Sequence, residues 1–427
     1  MSVPTVLPNR PQPQELLAQT AAVPVLAFGG GLTLGGVLRI FGRAGVPIYA
    51  VCAQGDFAAH SRWYRQPPMR GSENLKPAEL AAFLRALPLH EAVLMPCSDD
   101  WLQAVVALPS SLMNRFRSSL PRAEIVQTMV NKWRFAELLE RSCTPHPRTV
   151  LIHSCEQLQE MSEKDFDGAI FKPLSSIEFA AKYGVKGYLV RSQAEALKLA
   201  PRLEYPIMLQ EYVPGPPTES HFIDGFADRR GRICARFARR RLRMHPSDLG
   251  NSSLTASVPL SDIGGAVAIL EQLLATVPYR GIFSAEFKRD PRNGLFKILE
   301  INARPWWYVE FAARCGVNVC HMAYRDALGL PVEPVHEYEV GRRCVFLAHD
   351  IRSYREMCKQ GVLGLPSWFH SWVGSDGALF AWDDPGPALA CAHDFVKRRL
   401  HGLGQPRRIR DTGQVPVTPG NEVPAAA

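Results

Sequence analysis

Regular patterning begins at Pro24, where the unbroken apolar run Pro24-Val-Leu-Ala-Phe28 meets Gly29-Gly-Gly31. A helical segment from Leu32 to Gly42 follows, then Ala44-Gly45 and a second apolar run, Val46 to Val51. Strand, glycine turn, helix and strand in this order predict a parallel α/β unit. A third strand, Ala92 to Met95, stops at Pro96-Cys-Ser-Asp-Asp100. Together they predict a small doubly wound domain over residues 23–125. The glycines depart from G-x-G-x-x-G, and the second run continues into Cys52 and Ala53 without an acidic residue. A tight turn with close helix-to-sheet packing is expected there, not a dinucleotide site.

From 126 to 330 strands and helices mix in an α+β manner, and Asp290-Pro-Arg-Asn-Gly294 marks a hairpin. Residues 331–403 form a smaller unit containing Trp368, Trp372 and Trp382. Residues 1–22 and 404–427, rich in proline, are expected to be flexible tails. The whole is an α/β chain of three folded parts, without an internal repeat.

Composition narrows the class. A chain of 427 residues exceeds one hydrophobic core, and 46% hydrophobic with 21% charged residues excludes wholesale disorder. Ten cysteines without a C-x-x-C pair exclude a disulfide scaffold and a zinc ribbon; Cys315 and Cys320, the closest pair, are expected to serve packing. Reduced thiols suit the cytoplasm. Val23 to Leu38, the most apolar early stretch, is broken by five glycines and a proline, so no membrane or export segment is expected.

The balance of 49 basic against 41 acidic residues, a net +8, points to an anionic partner. Arg236, Arg239, Arg240, Arg241 and Arg243 raise nucleic acid as one candidate. On a strand, however, Arg239, Arg241 and Arg243 share one face and Arg236 and Arg240 the other. That splits the patch, and Phe237 alone interleaves it. An anion-facing strand inside a site is the stronger reading.

The segment Gly281 to Pro305 carries the sharpest chemistry. A hairpin centred on Asn293 sets Glu286 opposite Glu300, and alternation adds Asn302 and Arg304 to the Glu300 face. Leu299, Ile301 and Ala303 are expected to point into a core. Two facing carboxylates repel, and a hard divalent cation offsets that repulsion. Two Glu and one Asn with open positions for phosphate suit magnesium, and Arg304 offers a fork to a phosphoryl or carboxylate oxygen. Upstream, Lys172 ends the apolar strand Ala169-Ile-Phe before a small-residue loop that reaches Lys186, a setting suited to phosphate. Lys132 opens a helix. Tyr205 to Val213 is a strand stopped by Pro214-Gly215, leaving backbone groups near Glu211 and Val213 for an adenine edge. Glu219 lies within reach of a ribose.

The order Lys132, Lys172, Gln210-Glu-Tyr-Val-Pro-Gly215, Glu219, Glu286 and Glu300-Ile-Asn-x-Arg304 resembles the ATP-grasp superfamily. It looks closest to the carboligase group related to biotin carboxylase that includes D-aspartate ligase. Gly29 to Tyr49, Ser61-Arg-Trp-Tyr64, Pro96 to Asp100 and Trp382 to Pro387 resemble that group's flanking domains. The resemblance implies ATP with magnesium, or manganese in its place, and small-molecule carboxylate and amine substrates. Lys132, Lys172, Glu211, Val213 and Glu219 would bind the nucleotide, Glu286, Glu300 and Asn302 the metal. Arg304, Arg241 and Lys172 would serve the reaction: a carboxylate is activated as an acyl phosphate and captured by an amine, releasing ADP. Carboxylation through carboxyphosphate uses the same metal face. The loop after Lys172 has fewer glycines than many in the family. Arg241 stands where relatives often have lysine, so that position binds anions and does not move protons.

Overall fold

The computed structural model describes residues 22–402 apart from Arg70, 175–186 and Asp248. The expected tails and the loop from Ser175 through Lys186 lie outside the described residues. Four parallel strands build the first sheet: β1 (Val25–Phe28), β2 (Ile48–Val51), β3 (Ala92–Pro96) and β4 (Phe116–Arg117), in the order β2-β1-β3-β4. Its β1 is buried throughout, as a strand covered on both faces must be. Gly29 and Gly31 take positive φ, and a Cβ on Gly29 would come within 3.1 Å of the Cys97 Cβ. The helix Gly31–Arg43 gives its first amide to Asp56 Oδ2 at 2.9 Å. A carboxylate of the chain itself therefore stands where a dinucleotide phosphate would.

A second sheet is antiparallel, with β5 (Thr149–Ile152), β6 (Ala169–Lys172), β7 (Tyr188–Val190) and β8 (Ile207–Glu211) in the order β5-β8-β6-β7. The third and largest contains β9 (Ser220–Ala227), β10 (Ile233–His245), β11 (Asn251–Ser257), β12 (Gly281–Arg289) and β13 (Phe296–Asn302). To these are added β14 (Arg343–Val345) and β15 (Asp376–Gly377) from the C-terminal part, giving β13-β12-β9-β10-β11-β14-β15. One hydrophobic cluster runs from Leu26 and Phe28 to Ile301 and Ala303, and another joins Val25 to Phe237 and Cys344. The N-terminal sheet and the largest one thus share a continuous core, with helices between them.

The β12–β13 hairpin pairs Glu286 with Glu300 and Ser284 with Asn302 as expected, but its turn is displaced. A register shift after Glu286 makes Phe287 pair with Ile298, so Leu299 is the extra residue of a bulge. Ile298 takes the fully buried position and Leu299 lines the cleft described below, correcting the expectation that Leu299 enters the core. Ile301 and Ala303 are in the core.

Arg239 and Arg241 keep the shared face that alternation requires, but register shifts on either side of Arg243 turn it to the other face, so Met244 joins Arg241 at the cleft and the expectation for Arg243 is corrected. Arg239, Arg241 and Arg243 are buried, and each meets a carboxylate: Asp224 at 2.7 Å, Glu286 at 2.9 Å and Asp350 at 2.8 Å. Arg236 pairs with Glu271 on the other face. The run is an internal charge ladder, not a continuous surface patch.

The C-terminal part docks through two buried acids. Asp384 accepts from Arg39 Nε at 2.9 Å, Ser61 Oγ at 2.9 Å and the Arg62 amide at 2.8 Å. Neighbouring Asp383 pairs with Arg43, whose hydrogen bonds hold its carboxyl down at about 2. Asp350 accepts from Arg243, Ser253 and the Trp368 indole. All ten cysteines are free thiols, with Cys315 and Cys320 buried. No helix among the described residues is long and apolar enough to cross a membrane.

Asp350→Ala leaves Arg243 buried without its partner and should cost about 3–5 kcal/mol of stability, measured by denaturant unfolding. A loss below about 1 kcal/mol would show that the Arg243–Asp350 pair does not anchor the C-terminal part.

Candidate active site

A cleft of about 380 Å³ opens beside the inner ends of the antiparallel sheet and the β12–β13 hairpin. Its size is that of a small-molecule site. Lys132, Lys172, Glu211 and Val213 line it together with Arg241, Glu286, Glu300, Asn302 and Arg304. Residues separated by more than 170 positions in sequence thus share one surface. Glu219 does not line the cleft, although its neighbours Pro217 and Ser220 do.

Each charged group has an internal counterpart. Glu286 Oε1 accepts from Arg241 Nη2 at 2.9 Å, and Arg241 Nε donates to Ser252 at 3.0 Å. Across the hairpin, Glu300 Oε2 lies 3.5 Å from Lys132 Nζ. Lys132 starts the helix Lys132–Arg141, which is capped by the Asn131 side chain accepting from the Arg134 amide at 3.0 Å. Lys172, at the end of β6, donates to Gln210 Oε1 at 2.8 Å. Asn302 Nδ2 donates to Glu300 Oε1 at 3.1 Å.

Arg304 differs from expectation. Its fork is already engaged: Nε and Nη2 donate to Asp99 Oδ1 and Oδ2 at 2.6 and 3.0 Å. Burial works against the charged guanidinium, but Asp99 outweighs it and raises the pKa further. The anion seat expected to be open thus holds a carboxylate from the N-terminal sheet. The residues are 205 apart, and nothing in the local pattern joins them.

Part of the backbone expected to meet an adenine edge is already engaged. The amide of Glu211 donates to Arg148 O at 2.8 Å and that of Tyr212 to Gly168 O at 2.7 Å, because neighbouring strands and loops complete the ladder there. Val213, the next residue, is buried at the cleft wall. The Glu211 side chain turns to the hairpin, accepting from Lys297 Nζ at 2.8 and 2.9 Å, from the Arg148 amide at 3.1 Å and from Arg292. Burial pushes its pKa up, but these donors together hold it below the ordinary value.

Sequence reasoning gave no role in the site to several residues that line it, among them Asp99, Gln210 and Lys288. Lys288 follows Glu286 by two on β12, so alternation alone would have placed it on the same face. Its ammonium lies 4.9 Å from the centre of the Tyr212 ring. Burial, then Arg241, lower its pKa against the opposing pull of Glu286 and Glu219.

Comparison with known proteins agrees with this architecture. No family model matches the sequence. D-aspartate ligase of Enterococcus faecium is 21% identical over 257 residues, 55% of this chain and 58% of that protein's length. The L-amino acid ligase of Bacillus licheniformis superposes with a TM-score of 0.53 at 12% identity, covering 76% of this chain and 79% of that one. The biotin carboxylase domain of the Hydrogenobacter thermophilus 2-oxoglutarate carboxylase, solved with MgADP, ADP and bicarbonate, gives 0.56 at 13% identity, covering 75% and 73%. These proteins belong to the ATP-grasp superfamily, and the chain shares its fold. The resemblance expected from the sequence is borne out.

Glu211 joins β8 to the hairpin, and the sign of its shift sets a pH dependence. A depressed carboxylate contributes stability fully above its ordinary value of 4.5 and loses it as pH falls through the lowered value. Glu211→Gln should therefore lower the unfolding midpoint at pH 7, and its difference from wild type should be smaller at an acid pH below 4.5. Equal destabilisation at both pH values would show that the charge of Glu211 is not what joins the two elements.

Proposed function

We propose that the chain is an ATP-dependent ligase that activates a carboxylate as an acyl phosphate and couples it to an amine, forming ADP and phosphate. One observation carries this reading. Glu286 and Glu300 are register partners, and they share a cleft with Asn302, Lys132 and Lys172. The ATP-grasp fold and the ligases among its relatives support it.

The donor set fits a hard cation. Two carboxylates and an amide oxygen supply the ligands magnesium or manganese prefers, and Glu286 Oε2 has no hydrogen-bond partner among the described residues. Glu286, Glu300 and Asn302 would hold the metal, which when bound neutralises charge on the nucleotide's phosphate oxygens. Lys132 and Lys172 would exchange Glu300 and Gln210 for phosphate oxygens. Val213 would meet the adenine through its backbone, and Glu219 would reach the ribose from just outside the lining.

The substrate carboxylate oxygen attacks the γ-phosphorus, the bond to the β-phosphate oxygen breaks, and ADP departs. The amine nitrogen then attacks the acyl carbon, the carbon–oxygen bond to phosphate breaks, and the nitrogen loses a proton. Through both steps Arg241 remains cationic, so it orients Glu286 and offsets negative charge without moving a proton. Position and fixed charge are the protein's contribution.

Carboxylation through carboxyphosphate is the second reading, favoured by the carboxylase domain solved with bicarbonate. ADP release measured with carboxylate and amine pairs, and separately with bicarbonate, discriminates them. Release that needs bicarbonate and no other carboxylate would overturn amide ligation.

Glu300→Ala should reduce magnesium-dependent ADP formation by about a hundredfold or more while the fold is retained. Unchanged turnover would remove Glu300 from the metal site. Lys172→Ala should weaken ATP binding by roughly ten- to a hundredfold, the range of a lost charge-assisted hydrogen bond. Unaltered affinity in a nucleotide titration would exclude that lysine.

A further inference from the structure

Asp99 begins the helix Asp99–Val106 directly after β3, on the sheet that contributes none of the residues expected from sequence to form the site. Its carboxylate nevertheless lines the cleft and takes the fork of Arg304 through both oxygens. Arg304 has five N–H groups. Two donate to Asp99, one to Asn302 Oδ1 at 3.1 Å and one to Pro305 O at 3.1 Å. The guanidinium is therefore fixed in one orientation, with a single N–H on Nη1 lacking an acceptor among the described residues.

The consequence passes along the strand. Because Arg304 donates to Asn302 Oδ1, the other end of that amide, Nδ2, faces Glu300 Oε1 at 3.1 Å. Arg304 thus selects which end of Asn302 meets each neighbour. An amide oxygen carries two lone pairs, so Oδ1 can accept from Arg304 and still ligate a cation. Rotated by half a turn, the amide would present N–H groups in place of that oxygen.

We propose that Asp99 is a positioning residue for the metal-binding face: it locks Arg304, and through Arg304 orients the Asn302 amide and Glu300. This rests on the metal site of the proposed function and extends it to the N-terminal sheet. Partners that hold a ligand in place typically alter metal affinity by about 10–100-fold when removed.

Calorimetric titration of the full-length chain with ADP, with and without magnesium, tests this. Wild type should bind ADP more tightly with magnesium. Asp99→Asn should lose about tenfold or more of the magnesium-dependent affinity and keep its metal-free ADP affinity, and Asp99→Glu should recover part of the loss. Arg304→Lys, which keeps the charge but not the fork, should show the same selective loss, and it carries the test should Asp99→Asn fail to fold. An unchanged magnesium increment, or an equal fall with and without magnesium, overturns the positioning role. A wild-type chain that gains nothing from magnesium overturns the metal site itself.

Discussion

Two like charges held opposite one another are the constraint around which the site is arranged. Glu286 and Glu300 occupy facing positions on adjacent strands. At a cross-strand separation of about 5 Å and an effective dielectric near 20, two such carboxylates repel by roughly 3 kcal/mol. The fold balances this with Arg241 on one side and Lys132 on the other. Those cations come from β10 and from the helix Lys132–Arg141, so the central sheet and that helix are tied to the hairpin by electrostatics as well as packing.

The same logic recurs along β10. Three buried arginines of this strand each meet an acid from a different element: Asp224 on β9, Glu286 on β12 and Asp350 in the helix Leu347–Lys359. A strand of this kind resists substitution by lysine, because the planar fork satisfies two acceptors at once. It also explains how a chain with a net charge of +8 buries so many arginines. Each of these guanidiniums is buried together with a carboxylate, so the pairs add nothing to the net charge.

Long-range carboxylates then fasten the outer parts to this centre. Asp384 joins the C-terminal part to Arg39, Ser61 and the Arg62 amide of the N-terminal part. Asp99 reaches from the N-terminal sheet to Arg304. Glu211 ties the antiparallel sheet to Lys297 and Arg292. Each contact puts an acid from one part against a guanidinium, ammonium or amide of another, so the cleft is defined by three sheets together.

The sequence alone determined the elements with strict periodicity. The parallel strands at 25–28 and 48–51 follow from unbroken apolar runs, and the hairpin with Glu286 opposite Glu300 and the shared face of Arg239 and Arg241 follow from the two-residue repeat of an extended chain. Even the wrong centre of the hairpin turn left the pairing near the site correct, because the bulge at Leu299 lies between the glutamates and the turn. What only the tertiary structure decided depends on residues distant in the chain. Local alternation could not show that Asp99 closes the Arg304 fork, that Arg148 takes the Glu211 amide, or that Leu299 faces the cleft. Periodicity assigns a side chain to a face; which group from another sheet meets it there is set by how the sheets pack.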